Sequence, residues 1–247
     1  MYNYFKIKQF EMKRFNYFLL LVFFCMCGLF SFAQESSLPL GFSNGNTIWY
    51  LRTGVSFNGI TGDGLIDAKT DWASQNMYGE YNETLGFSAT LGANFPFGTG
   101  PIYYGLSITA GMRGYKEISS LKNGDSTYRN ENRLTAFNIK LSAMNIGYFT
   151  KLTQNMVFDA HIGLYFSCDY AGSLKSENKT GKKTTNTSVN LSDIDDYNRY
   201  DFGINGGIGI WYNHWGLELG YERGLSFLYK GNDIYCYNYL LTIGYAF

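Results

Sequence analysis

From about residue 48 onward, apolar residues alternate with small or polar ones in segment after segment. In MVFDAHIGLYFSCDYAG, Phe158, Ala160, Ile162, Leu164, Phe166 and Cys168 share one face of an extended chain, while Asp159, His161, Gly163, Tyr165, Ser167 and Asp169 share the other. A period of two belongs to a strand. A face with two carboxylates and an imidazole has to meet water or charged partners, whereas its reverse suits hydrocarbon. The same split recurs with Leu85, Phe87, Ala89, Leu91, Ala93 and Phe95, and again with Phe202, Ile204, Ile208, Ile210 and Tyr212. Eight such segments are predicted, at 48–60, 81–97, 101–118, 133–150, 155–174, 197–213, 215–229 and 235–247.

Their connections differ in length. FGTGP (97–101), KLTQN (151–155) and NHWG (213–216) read as tight turns, whereas 61–80, 119–132 and 175–196 read as long polar loops, with KGND (230–233) a shorter one. Each segment exceeds the ~9–11 residues that a tilted strand needs to cross a bilayer, and closing the sheet satisfies every backbone group that lipid cannot. The expectation is an all-β fold, an eight-stranded antiparallel up-and-down transmembrane β-barrel over 47–247, with short turns on the periplasmic side and long loops outside. Aromatic residues near the short turns (Phe95, Phe97, Tyr148, Phe149, Phe158, Trp211, Tyr212, Trp215, Tyr245 and Phe247) would form an interfacial girdle. A soluble antiparallel sandwich shares the alternation but should carry fewer Tyr and Trp at strand ends.

Composition agrees with strands and turns: 22 Tyr, 20 Phe and 29 Gly against 3 Pro. The N-terminus is different. Lys6, Lys8, Lys13 and Arg14 precede an apolar run from Tyr17 to Phe30, and Ser31-Phe32-Ala33 offers a small-x-small cleavage site. That order marks residues 1–33 as a signal peptide, with Met12 as an alternative start and 34–46 as a short periplasmic lead. As an uncleaved anchor the run falls short of the ~20 residues of a span. Neither Cys25 nor Cys27 follows the small residue expected of a lipid-modified cysteine. Without 1–33 the chain keeps 16 basic and 19 acidic residues, which gives no footprint for nucleic acid. Cys168 and Cys236 remain, too few for a multi-bridge framework; two thiols are the simpler reading, with one disulfide permitted by export.

The stretch YDFGINGGIGIWYNHWGLELGYERGLSFLY, followed by a strand ending on Phe, resembles the PorT-like outer-membrane β-barrel family of Bacteroidetes. The resemblance rests on a Gly-rich strand with Asp201, Gly203, Gly207 and Gly209, then Tyr221, Gly224 and Leu225 in the next. Where that family often has Arg before the Tyr, this chain has Gly220, with a basic residue shifted to Arg223. What the resemblance implies is an eight-stranded barrel in the outer membrane. The terminal aromatics Tyr245 and Phe247 resemble the C-terminal signal read by barrel-assembly machinery.

An eight-stranded barrel has a lumen about wide enough for side chains to fill. Parity turns Arg52, Arg113, Lys140, Asp159, His161, Asp169, Asp201, Glu218 and Glu222 inward. Unpaired, such charges cost several kcal/mol each, so a salt-bridged plug is expected. The sharper alternatives are a narrow ion path and a hydrolase using His161 with an inward serine (Ser107, Ser142 or Ser167), although no nucleophile elbow singles one out. Asp193, Asp195 and Asp196 form an acidic loop that could bind calcium but lacks a distal bidentate Glu. No cofactor or structural metal is expected.

Two positions break the pattern. Apolar parity flips between Ala143 and Met144, as a β-bulge would make it, and Arg223 falls on the lipid face, calling for a second bulge at Gly224 or a snorkelling side chain. The expected partners are outer-membrane lipid and lipopolysaccharide (with Lys182 and Lys183 near its phosphates), the assembly machinery during insertion, and an envelope protein at the long loops. The functional expectation is a non-enzymatic structural or interaction protein.

Overall fold

The structure, a computed structural model, describes residues 46–74, 77–123, 126–181 and 183–247. The signal peptide and nearly all of the lead expected before the barrel lie outside the described residues. In chain order the elements are β1 (Ile48–Thr61), α1 (Gly64–Ser74), β2 (Met77–Asn82), β3 (Thr84–Pro96), β4 (Ile102–Asn123), β5 (Ser126–Lys151), β6 (Met156–Thr180), β7 (Lys183–Asn190), β8 (Tyr200–Tyr212), β9 (Trp215–Gly224) and β10 (Tyr235–Ala246).

Eight of these strands close a ring of antiparallel neighbours in the order β1, β3, β4, β5, β6, β8, β9, β10 and back to β1. The seam runs from Tyr50 opposite Ala246 to Thr61 opposite Tyr235. Beyond it the Trp49 N–H donates to the Phe247 carbonyl (3.3 Å) and the Phe247 N–H to the Trp49 carbonyl (2.9 Å). No ring strand is left with an open edge, so the backbone is satisfied without water. The outer surface is a continuous apolar belt that includes Phe57, Phe87, Ile108, Leu141, Ile162, Ile208, Leu219 and Leu241, all exposed. Such a belt far exceeds what soluble proteins show.

Several sequence boundaries need correction. The stretches 119–132 and 175–196, expected as loops, are largely strand: β4, β5 and β6 run on past the apolar belt, and β7 adds to β6 from Ser173 to Thr180. β2 continues the row of β3, pairing Met77–Asn82 with Lys116–Leu121. The result is a five-stranded sheet standing on one side of the ring. Apolar alternation disappears there because neither face meets lipid, and Ser, Thr and Asn sustain the ladder through backbone pairing alone. Conversely, 197–199 and 225–229 lie outside the strands.

The loop at 61–80 contains a helix, which the absence of a strong helical pattern did not reveal. Its partly buried residues Leu65, Ala68 and Trp72 recur at i, i+3 and i+7, and Trp72 stacks on Tyr81 at 5.3 Å.

The bulge at Ala143–Met144 is present in β5: between Ser142 and Ile146 the register shifts against β6, and the same extra residue shifts it against β4 between Gly105 and Ser107. A second bulge, not foreseen, inserts Tyr170 into β6, since Asn138 pairs with Asp169 but Phe137 with Ala171. From there on the faces of β6 are exchanged. At Arg223 the ladders of β9 are regular on both sides. The side chain is exposed at the strand end, with its guanidinium 6.0 Å from the Tyr235 ring.

Candidate functional site, the barrel lumen

The abundance of glycine acquires a physical reason inside the ring. Inward rings lie flat across the glycine directly paired with them on the next strand: Tyr50 over Gly92, Tyr103 over Gly147, Tyr165 over Gly203 and Trp211 over Gly216. A Cβ at Gly92 would sit 2.3 Å from the Tyr50 ring, and one at Gly147 only 2.0 Å from that of Tyr103. Because these rings lie down instead of standing into the lumen, the hydroxyls of Tyr103 and Tyr165 reach carboxylates, Asp159 and Asp201.

All nine side chains that parity turns inward line the lumen, in three layers. Nearest the short turns, Arg52 reaches Glu218 Oε2 (2.6 Å) and Asp159 Oδ2 (3.5 Å), with its guanidinium 4.2 Å from the Tyr50 ring centre and 5.4 Å from that of Trp211. The Tyr103 hydroxyl donates to Asp159 Oδ1 at 2.6 Å. In the middle layer Lys140 pairs with Glu222, which also accepts from Asn238 Nδ2 at 2.9 Å. In the third, Arg113 spans two carboxylates, Asp169 Oδ2 (2.7 Å) and Asp201 Oδ2 (3.1 Å), and donates to the Asn198 carbonyl (3.3 Å). Tyr197 donates to Asp169, and Tyr165 to Asp201 at 2.9 Å. The planar fork of an arginine can serve two carboxylates at once, and both arginines here do so.

Apolar clusters seal both ends of this column. Below the first layer lie Ile48, Tyr50, Tyr103, Phe149, Val157, Trp211 and Ala246. Phe149 and Trp211, expected in the outer girdle, belong to this inner cluster at 4% and 3% exposure. The girdle was read from nearness to the short turns; strand parity, which sends the neighbouring Tyr148 and Tyr212 outward, turns Phe149 and Trp211 into the lumen. Above the third layer, Ile60, Tyr115, Leu134, Leu191, Tyr197, Leu228 and Ile234 pack together under Leu65 of α1. Between the first and middle layers a cavity of about 50 Å³ is lined by Ser107, Thr109, Asn145, His161, Glu218 and Thr242, among others.

Among the described residues, the group with metal-ligand geometry is Asp159, His161 and Glu218, whose ligand atoms lie within 4.8 Å of one another. The Arg52 guanidinium already stands between two of these carboxylates, where a cation would have to bind. His161 Nδ1 is 3.9 Å from Glu218 and has no hydrogen-bond partner among the described residues. Among the described residues Asp193, Asp195 and Asp196 do not form such a metal-ligand group. Cys168 and Cys236 are both free, the latter buried.

The chain is similar to several solved structures. Neisserial surface protein A is 12% identical, with 81% of this chain and 97% of that chain covered and a TM-score of 0.36. Ail of Yersinia pestis, in complex with the heparin analogue sucrose octasulfate, is 12% identical over 82% and 99% with a TM-score of 0.34. OprG from Pseudomonas aeruginosa is 10% identical over 83% and 98% with a TM-score of 0.34. No curated protein matches. Residues 32–230 match the family model of the outer membrane protein beta-barrel domain, and the chain belongs to that family of outer-membrane barrels.

Proposed function

We propose that the protein is a non-enzymatic outer-membrane platform: a barrel with a closed lumen that holds a rigid sheet and helix above the membrane for contact with a partner in the envelope. The observation that carries this reading is the lumen itself, filled by three layers of ion pairs and sealed at both ends by apolar clusters. A path for ions would have to break buried pairs in every layer. Reconstituted in planar bilayers, the protein should give no single-channel steps; steady unitary current would overturn the proposal in favour of a small channel.

Within the family we assign the chain to the PorT-like branch, on the strength of Asp201, Gly203, Gly207 and Gly209 in β8 with Tyr221 and Gly224 in β9. We assign residues 1–33 as its cleaved leader, the exposed aromatics near the short turns as its interfacial girdle, and Tyr245 and Phe247 as the signal for the assembly machinery. Because Tyr50 still pairs with Ala246 when Phe247 is absent, the seam survives its loss. Deleting Phe247 should therefore reduce the amount reaching the outer membrane several-fold while leaving the refolded protein nearly as stable, and normal membrane levels would refute the assignment. The intact mass of the membrane fraction reports removal of 1–33 in the same experiment.

A further inference from the structure

The sheet that rises from the ring has an inner face continuous with the lumen and an outer face continuous with the apolar belt. On the outer face the last apolar rung is Met112, Phe137 and Ala171. Next comes a rung of small residues, Gly114, Thr135 and Ser173, and above it Lys116, Arg133 and Lys175 lie side by side on β4, β5 and β6, flanked by Asn82 of β2 and Ser188 of β7. Lys175 faces outward only because the Tyr170 bulge exchanged the faces of β6.

Like charges directly opposite one another on neighbouring strands repel, at Cβ separations of about 4.5–5.5 Å. Elsewhere on this face the chain relieves such repulsion itself. Lys116 reaches Glu131 (2.8 Å), Arg129 reaches the same carboxylate (3.4 Å) and Lys179 reaches Glu177 (2.6 Å). The Lys116 ammonium beside Glu131 holds that carboxyl below its ordinary range. Arg133 and Lys175, paired across the strands and both exposed, have no carboxylate within ion-pair distance among the described residues. Their charge is left to be neutralised from outside.

Their height fits an anion of the membrane surface. Four residues separate Arg133 from Phe137, about 13 Å along a strand at ~3.3 Å per residue, or roughly 10 Å along the normal of a barrel whose strands tilt by ~35–45°. Long basic side chains reach back several ångströms towards the headgroups. Short turns face the periplasm in such barrels, so this side is the outer leaflet.

We propose that Arg133 and Lys175, with Lys116 beside them, form a binding site for a phosphate of the lipid A headgroup of lipopolysaccharide. The site goes beyond the platform reading and is independent of it, since a conducting barrel could carry it equally well. It anchors one glycolipid against β4, β5 and β6 at the foot of the protruding sheet.

The test is titration of the refolded protein, in phosphatidylcholine nanodiscs, with diphosphoryl lipid A, counting bound lipid by native mass spectrometry. Replacing both residues (Arg133→Gln with Lys175→Gln) should weaken binding by about tenfold or more, as expected for two basic groups at a membrane surface. The pair Arg129→Gln with Lys179→Gln, whose charges already have carboxylate partners, should change it little. With the unaltered protein, dephosphorylated lipid A should bind about tenfold more weakly than the diphosphoryl form. The proposal falls if the first pair binds like the unaltered protein, if both pairs lose affinity equally, or if removing the phosphates makes no difference. The last comparison requires no variant, and slower migration of the boiled sample on a gel verifies that each variant is folded.

Discussion

Arg113→Ala should destabilise the folded barrel by about 3–5 kcal/mol, the usual cost of removing one partner from a buried charge cluster. The guanidinium is 4% exposed and is the cation that Asp169 and Asp201 share, at 2.7 and 3.1 Å. Without it two carboxylates at 2% and 4% exposure face each other, with Tyr197, Tyr165 and the Ser226 N–H left as donors to them among the described residues. Arg113→Lys should recover little, since an ammonium is a single point charge and cannot fork between the two. Removing all three charges with apolar residues of similar size should recover most of the loss, because the penalty lies in unpaired burial and not in the absence of the bridge. Urea unfolding in lipid vesicles, followed by tryptophan fluorescence, measures all three variants. A loss below about 1 kcal/mol for Arg113→Ala would mean that water reaches the third layer, contrary to the sealed lumen.

The second large effect is expected at a residue with no side chain. In Gly147→Val the new Cβ would fall 2.0 Å from Tyr103 Cζ and 2.3 Å from its hydroxyl oxygen. The ring cannot swing aside cheaply: it is 1% exposed, stacked on Phe149 at 5.5 Å and hydrogen-bonded to Asp159. Overpacking of this kind costs about 1–3 kcal/mol, and a lost bond to a buried carboxylate adds about 1.5–3 kcal/mol. Combining Gly147→Val with Tyr103→Ala should cost clearly less than the two changes added together, because the second vacates the space that the first invades. Strict additivity would show that ring and glycine are independent, and that the ring-over-glycine pairs do not organise the lumen.

Much of this protein was legible in its residues. Alternation is a local property: a strand that sends Phe158, Ala160 and Ile162 one way must send Asp159 and His161 the other, whatever its neighbours are. Repeated with one polarity, that pattern leads to the ring, its apolar exterior and its charged interior. It also located the bulge at Ala143–Met144, where the pattern itself breaks. The terminal strand YCYNYLLTIGYAF could be placed at a seam because a barrel leaves no ring strand unpaired.

The sequence could not say which charges meet. Arg113 is 56 residues from Asp169 and 88 from Asp201, and only the register of β4, β6 and β8 around the ring brings them to one height. The glycines under Tyr50, Tyr103, Tyr165 and Trp211 look like ordinary strand breakers until pairing sets each beneath a ring. Phe149 and Trp211 read as girdle residues because strand ends are also where a lumen is sealed. Tyr170 shows the limit most clearly. Nothing in AHIGLYFSCDYAGSLK marks one residue as extra, yet its insertion turns Lys175 from the inner face to the outer and lines it up with Arg133. Periodicity along one strand determines which residues share a face; which groups meet across strands, and at what height, is decided by register, and register is settled by the closed ring as a whole.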